Sequence, residues 1–305
     1  MIRLDGSSLT LVDIGRIALD HVAVALAPEA AARVRASRAV VDAHVESGKA
    51  VYGVNTGFGA LADVPIPRAD LAALQLNLVR SHAAGVGEPL SVPAVRALMA
   101  LRANVLAKGF SGVRESTLEA LIALINAGVH PRIPARGSVG ASGDLAPLAH
   151  LALVLVGEGD VLEPGRTSAE ALAAAGLAPV TLAPKEGLAL INGTQASAAV
   201  LALAVIGAGR LARAADMAAA LSIDALRGSI HPFEARIHEA RPVPGQLASA
   251  ANLWTLVTGS AINQSHELCG KVQDAYALRC APQVHGSARE AIGFAHRLVE
   301  IEANA

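Results

Sequence analysis

Apolar residues recur at helical spacing along most of the chain. Between Ser91 and Gly109, the residues Val95, Leu98, Met99, Val105 and Leu106 fall on one face, with Ser91 in the cap position and Gly109 as the stop. Ser116 and Glu119 form a capping-box pattern ahead of Leu118, Leu121, Ile122 and Ile125, and Gly128 with Pro131 ends that segment. Pro28 to Gly48 reads as a third helix, with Val34, Val41 and Val45 on one face. From Gln195 to about Arg227 the pattern is helical and at first apolar all round, which predicts a helix in the middle of a bundle. A last helical pattern runs from Ser287 to Ala305 without a stop signal.

Strand signals are few. Short candidates lie at Asp160 to Leu162 and Val180 to Leu182. Strands do not alternate with helices, so a nucleotide-binding α/β sheet is not supported. Glycine-rich segments separate helices at Gly53 to Gly59 and Gly137 to Gly143. The expected fold is mainly α. The uncharged run from Gly187 to Gly209 is convincingly apolar only from Ala196 onward, too short to span a bilayer, so a buried helix is expected there.

Hydrophobic residues make up 53% of the 305 and charged residues 17%, which argues against disorder. A formal net charge of −1 gives no footprint for nucleic acid or an anionic membrane surface. The N-terminus carries charges where a signal peptide needs its apolar stretch, and Cys269 and Cys280 lack ligand or redox spacing. A soluble, cytoplasmic protein is expected. Aromatics are scarce, with four Phe, two Tyr and one Trp, so a tyrosine here is not routine core filler. The ten histidines include no zinc-protease helix motif, and no metal is expected.

Gly137-Ser-Val-Gly-Ala-Ser-Gly-Asp144 precedes a helix starting near Asp144, with Pro147 in its first turn. Read plainly, it is a flexible cap or a phosphate-cradling turn. It lacks a P-loop lysine, dinucleotide-fingerprint spacing and the spacing of a serine-hydrolase elbow. Ala141-Ser142-Gly143 admits a sharper reading. Attack of the Gly143 nitrogen on the Ala141 carbonyl closes a five-membered ring, loss of water unsaturates it, and loss of the Ser142 hydroxyl as a second water leaves an exocyclic methylene. Small flanking residues and glycine suit such a closure.

At this point the chain resembles the aromatic amino-acid lyases, and among them the histidine ammonia-lyases. The resemblance rests on Tyr52-Gly-Val-Asn-Thr-Gly-Phe-Gly59, Ser81-His-Ala-Ala-Gly85, Gly137 to His150, Glu186-Gly-Leu-Ala-Leu-Ile-Asn-Gly-Thr-Gln195 and Gln273-Asp-Ala-Tyr-Ala-Leu-Arg-Cys-Ala-Pro-Gln283. It implies a long-helix bundle with minor short strands. Residues 1–110 would form a smaller N-terminal globular part with the Tyr and His loops, and 111–305 the electrophile loop and an incomplete central bundle. It implies that Ala141, Ser142 and Gly143 become a methylidene-imidazolone autocatalytically, with no metal or nucleotide. Tyr52 would be the base for the β-proton, and Asn192 would position the carboxylate and polarise the electrophile. Tyr276 would assist proton transfer, Arg279 would hold the substrate carboxylate, Gln273 would orient its neighbours and His82 would recognise an imidazole. Both tyrosines of the chain fall inside these motifs.

The resemblance further implies elimination of ammonia from L-histidine to urocanate in a homo-oligomer, a tetramer with sites shared among subunits, without nucleic-acid or membrane partners. Two departures stand out. Family subunits continue well beyond Ala305, and that later region supplies an aromatic residue and a carboxylate to the site. Ala275 stands where a proline is common. The last helix is therefore expected to leave apolar surface open. A catalytically incomplete lyase-like module, or a lyase or aminomutase for another aromatic amino acid, stay open beside the histidine reading.

Overall fold

The computed structural model describes residues 1–139, 143–266, 268 and 270–305. Backbone contacts divide the chain into two units, Met1–Leu203 with Val299–Ala305, and Ala204–Leu298. The division differs from one at residue 110, because helices on either side of that position pack together within the first unit.

In the first unit, β1 (Ile2–Leu4) and β2 (Val24–Leu26) pair in parallel across α1 (Leu11–Leu19). Thr10 caps α1 in a reciprocal box with Asp13, satisfying two amides that the first turn cannot. α2 (Pro28–Ser47) ends at Gly48, whose φ of +64° makes the left-handed stop. α3 (Leu71–His82), β3 (Val86–Pro89), α4 (Val92–Ala107), α5 (Glu115–Asn126), β4 (Pro134–Arg136) and α6 (Leu145–Leu155) follow. α7 (Ser168–Ala174), α8 (Glu186–Ile191) and the start of the 31-residue α9 (Gln195–Ala225) complete this part. β3 and β4 pair antiparallel, with Val86 opposite Arg136 and Pro89 opposite Pro134.

α4 is the centre of this unit, buried on nearly every side and packed against α1, α2 and α5. Burial of a side chain such as Leu98 or Leu101 contributes about 1.5–3 kcal/mol. Its buried polar residues serve the carbonyl ends of neighbouring helices. Arg96 donates to the Ile17 and Ile125 carbonyls at 2.8 and 3.0 Å, near the ends of α1 and α5. Arg102 donates to the Ala189 carbonyl in α8, and Asn104 to the Ala303 carbonyl at 2.9 Å. A donor at a helix C-terminus meets both unsatisfied carbonyls and the negative end of the dipole.

In the second unit α9 continues, followed by α10 (Ala235–Glu239), α11 (Pro244–Val257), α12 (Ala261–Gln264), α13 (Tyr276–Arg279) and α14 (Ala281–Ala303), whose last turn belongs to the first unit. Its core gathers Ala220, Ile223, Phe233, Leu253, Val257 and Ala281. Buried Asp216 accepts from Asn252, His285 and Arg289 at 2.8, 2.8 and 2.5 Å, tying α9, α11 and α14 together. Burial would raise its carboxyl pKa, but these bonds and the Arg289 charge hold it below the usual aspartate value.

Several sequence expectations change. The Ser116–Glu119 box does not form, because α5 starts at Glu115 with Arg114 at the cap. A remote carboxylate does the capping instead. Glu186, fully buried, accepts from the Arg114 amide at 2.8 Å, the Arg114 guanidinium at 2.7 and 3.1 Å, Thr117 Oγ1 at 2.7 Å and the Ala183 amide at 2.8 Å. Ser91 sits at the cap of α4 without a side-chain bond. Val161 makes only an isolated bridge to Pro131, and Val180 to Leu182 forms no strand. α14 starts at Ala281, earlier than Ser287.

α9 is not enclosed all round, since Val200, Leu211, Met217 and Leu221 are exposed. Phe294 and Ile301 on α14 are exposed too. The length argument against a membrane span fails, because the stretch 186–225 is long and apolar enough to cross one. Half of its most apolar window is buried inside the protein, which fits a core helix equally.

Glu186→Ala strands at least three donors in a buried site. It should cost roughly 2–4 kcal/mol, read as a lower urea midpoint. Burial opposes ionisation of Glu186, yet the Arg114, Ala183 and Thr117 bonds hold its carboxyl below the usual 4.5. Its folded pKa is therefore depressed, so its contribution is present above 4.5 and is lost as pH falls through the folded value. The stability difference between the wild type and Glu186→Gln, read from urea midpoints, should therefore shrink as pH falls below 4.5.

Candidate active site

Four of the seven motif positions anticipated outside the tripeptide's first two residues lie in the first unit, at Tyr52, His82, Gly143 and Asn192. Ala141 and Ser142 lie outside the described residues. The framework around them begins with α8. Gln75 of α3, fully buried, accepts from the Gly187 amide at 2.9 Å, and the two helices cross so closely that a Cβ on Gly187 would lie 2.6 Å from the Gln75 carbonyl. Glu186 fixes the same end, and Arg102 the other. α8 then ends at Asn192, whose amide donates to the Leu188 carbonyl at 3.0 Å, and Gly193 turns the chain into α9.

That turn lies against the glycine-rich loop. The Asp144 amide donates to the Gly193 carbonyl at 2.5 Å. Gly143 has a φ of +114°, a conformation that L side chains rarely adopt, and the space of a Cβ there is filled by the Gly193 carbonyl. Asp144 is buried. Its side chain does not cap its own helix α6 but crosses to the first turn of α9, accepting from the Ser197 amide at 2.7 Å and Ser197 Oγ at 2.8 Å, and from Ser138 Oγ. A carboxylate at that N-terminus meets free amides and the positive end of the dipole.

The β3–β4 ribbon joins the His82 motif to the other end of the same loop. A Cβ on Gly137 would touch Gly85 Cα at 3.0 Å, and the Gly85 amide donates to His150 Nε2 at 3.1 Å. Burial holds the His150 pKa below its usual value, and Asp160 opposes this. His82 ends α3. Its Nδ1 lies 2.8 Å from the Leu78 carbonyl, a group that only accepts, so Nδ1 carries a proton and Nε2 is the nitrogen left to face a ligand.

Tyr52 stands on an exposed turn, 57% accessible, with its ring edge-on to Phe58 at 6.0 Å. Asn55 ties the turn by accepting from the Val51 amide at 2.8 Å and donating to the Lys49 carbonyl at 2.9 Å. Gly53, with φ +77°, leaves room for Leu188 of α8. The Tyr52 turn thus rests on the helix that carries Asn192.

In the second unit Gln273, Tyr276 and Arg279 form one cluster. The Arg279 guanidinium lies over the Tyr276 ring at 4.1 Å, a cation–π contact, and its Nε donates to the Asp274 carbonyl at 3.1 Å. With the Gln273 carboxamide oxygen turned toward it, Arg279 donates from Nη1 at 3.0 Å and from Nη2 at 3.2 Å. A cleft of about 1050 Å³ lined by Gln273, Arg279, His231 and Trp254 opens beside them. In this arrangement Gln273 holds the end of the fork, and a planar carboxylate would take the place of its carboxamide oxygen.

Sequence reading gave no role to Asp144, Glu186, Arg102 or Asn55. The signal for Arg102 was a charge within an apolar helix pattern, and for Asp144 its place directly after the loop.

A mainly helical protein in which a positive-φ glycine ahead of a helix is backed by a glycine turn defines the class. The model of the aromatic amino acid lyase family matches residues 9–305, and the chain belongs to that family. It is 58% identical to a histidine ammonia-lyase of Anaeromyxobacter sp. (strain K), over 99% of this chain and 62% of that protein. Among solved structures it is similar to the histidine ammonia-lyase of Trypanosoma cruzi, with a TM-score of 0.88 and 42% identity over 100% of this chain and 57% of that one. It is similar also to the tyrosine aminomutase of Streptomyces globisporus, with a TM-score of 0.91 and 39% identity over 100% of this chain and 61% of that one. The chain thus spans about 62% of the length of such curated relatives.

Asn55→Ala frees the Tyr52 turn while leaving α8 in place. Amides of residues 49–57 should exchange at least ~10-fold faster with little change in the protection of α4, as measured by hydrogen exchange.

Proposed function

We propose that the chain is the larger part of an ammonia-lyase that eliminates ammonia from L-histidine to give urocanate. The observation that carries the reading is the Gly143 backbone, held at positive φ against Gly193 in a family of such lyases. This would serve as a cradle for a methylidene-imidazolone formed from Ala141, Ser142 and Gly143, since the backbone at Gly143 is held too close to the Gly193 carbonyl for any side chain. When formed, the group supplies an electrophilic carbon that turns the substrate amine into a better leaving group.

The chain's own residues do the rest. Tyr52 takes the β-proton at its phenol oxygen, on a turn exposed enough to meet substrate. Asn192, at the end of a helix clamped by Glu186, Gln75 and Arg102, orients the carboxylate. His82 recognises the substrate imidazole through Nε2, its Nδ1 being engaged by the Leu78 carbonyl. Arg279 binds the substrate carboxylate, kept flat by Tyr276 and Gln273, and Tyr276 assists proton transfer. The active form is proposed to be a cytoplasmic homotetramer with sites shared among subunits.

A second reading is a catalytically incomplete lyase-like module. The test is the ultraviolet absorbance of urocanate formed from L-histidine, with L-tyrosine as competitor. Product should appear, Tyr52→Phe should lower kcat at least ~100-fold with KM little changed, and His82→Leu should raise KM for histidine. Absence of product from the wild type supports the incomplete module, and preferential turnover of tyrosine overturns the histidine assignment.

A further inference from the structure

Arg102 is among the largest fully buried side chains of the protein, and among the described residues none of its bonds is to a carboxylate. Burial alone pushes its pKa down to about 10. Its Nη2 donates to the Ala189 carbonyl and its Nη1 to Gln195 Oε1 at 2.7 Å, while Nε has no partner among the described residues. Desolvating an uncompensated guanidinium costs several kcal/mol. A neutral amide would satisfy one helix carbonyl at less expense, so capping alone does not account for an arginine here.

The two prongs grasp opposite sides of one turn. Ala189 precedes Asn192–Gly193 and Gln195 follows it. Between them, Nη1 occupies the space in which a Gly193 Cβ would sit, so the turn cannot settle toward α4. On its far face the same residue accepts the Asp144 amide and fills the Cβ space of Gly143. A chain of close contacts therefore runs from α4 through Arg102 and Gly193 to Gly143.

We propose that Arg102 is a positioning residue for formation of the internal electrophile, its fork setting the Asn192–Gly193 turn against which Gly143 is held. The inference rests on the cyclisation reading above. In that reaction the Gly143 nitrogen bonds to the Ala141 carbonyl carbon. The carbonyl oxygen leaves as water with the amide protons of Gly143 and Ser142. The Ser142 hydroxyl then leaves as water with the Ser142 Cα proton, and no oxidant is required.

Intact mass of the whole purified chain tests this, with circular dichroism confirming the fold of each sample. The wild type should be lighter by two waters. Folded Arg102→Gln, which keeps a donor but loses the charge and the fork, should show a dehydrated fraction lower by about ten-fold or more, as should Arg102→Lys, which keeps only the charge. Should Arg102→Gln fail to fold, Arg102→Lys carries the comparison. Full dehydration in a folded variant overturns the role of Arg102 while leaving the cyclisation reading intact. An unchanged mass in the wild type overturns the cyclisation reading, and this inference with it.

Discussion

The site depends on one close approach of backbone to backbone, Gly193 against Gly143 and Asp144. The Gly193 carbonyl fills the space of a Cβ on Gly143, which also takes a positive φ, while Arg102 and Gln195 fill the space of a Cβ on Gly193 itself. Everything else described in the first unit limits how that contact can move. Asp144 extends it into the first turn of α9, Arg102 supports it from α4, and the β3–β4 ribbon holds the Gly137 end of the loop.

The rigidity comes from an arrangement of polar groups inside an apolar helix. α4 packs as a core element, yet Arg96, Arg102 and Asn104 each reach the carbonyl end of a neighbouring helix. Non-directional burial of leucines and alanines would let those helices slide, whereas a donor aimed at a specific carbonyl sets their height. α8, only six residues long, is the clearest case. Its own helical bonds are few, and Gln75, Glu186 and Arg102 hold it from outside. Short as it is, it carries Asn192 and supports the Tyr52 turn.

The helices α2, α4 and α9 were legible because their signals are local, in apolar spacing and in stops such as Gly48 and Gly109. The strands were not. β3 and β4 are four and three residues long, and Pro89 opposite Pro134 leaves no alternating pattern to read. The cap of α5 was misread for the same reason, because its carboxylate comes from Glu186, far along the chain, rather than from Glu119. Motif resemblance singled out Tyr52, His82, Asn192, Tyr276 and Arg279, and the structure shows how their supports are built. It could not single out Arg102 or Asp144, whose importance lies in which distant backbone atoms they meet.

The central claim is that this framework holds Gly143 for closure onto Ala141. A high-resolution crystal structure of the purified chain tests it most directly, through electron density at residues 141–143. The account predicts continuous density from the Gly143 nitrogen to the Ala141 carbonyl carbon, a planar five-membered ring and no Ser142 hydroxyl. An open tripeptide with an intact Ser142 side chain, while Gly193 still rests against Gly143, would contradict it.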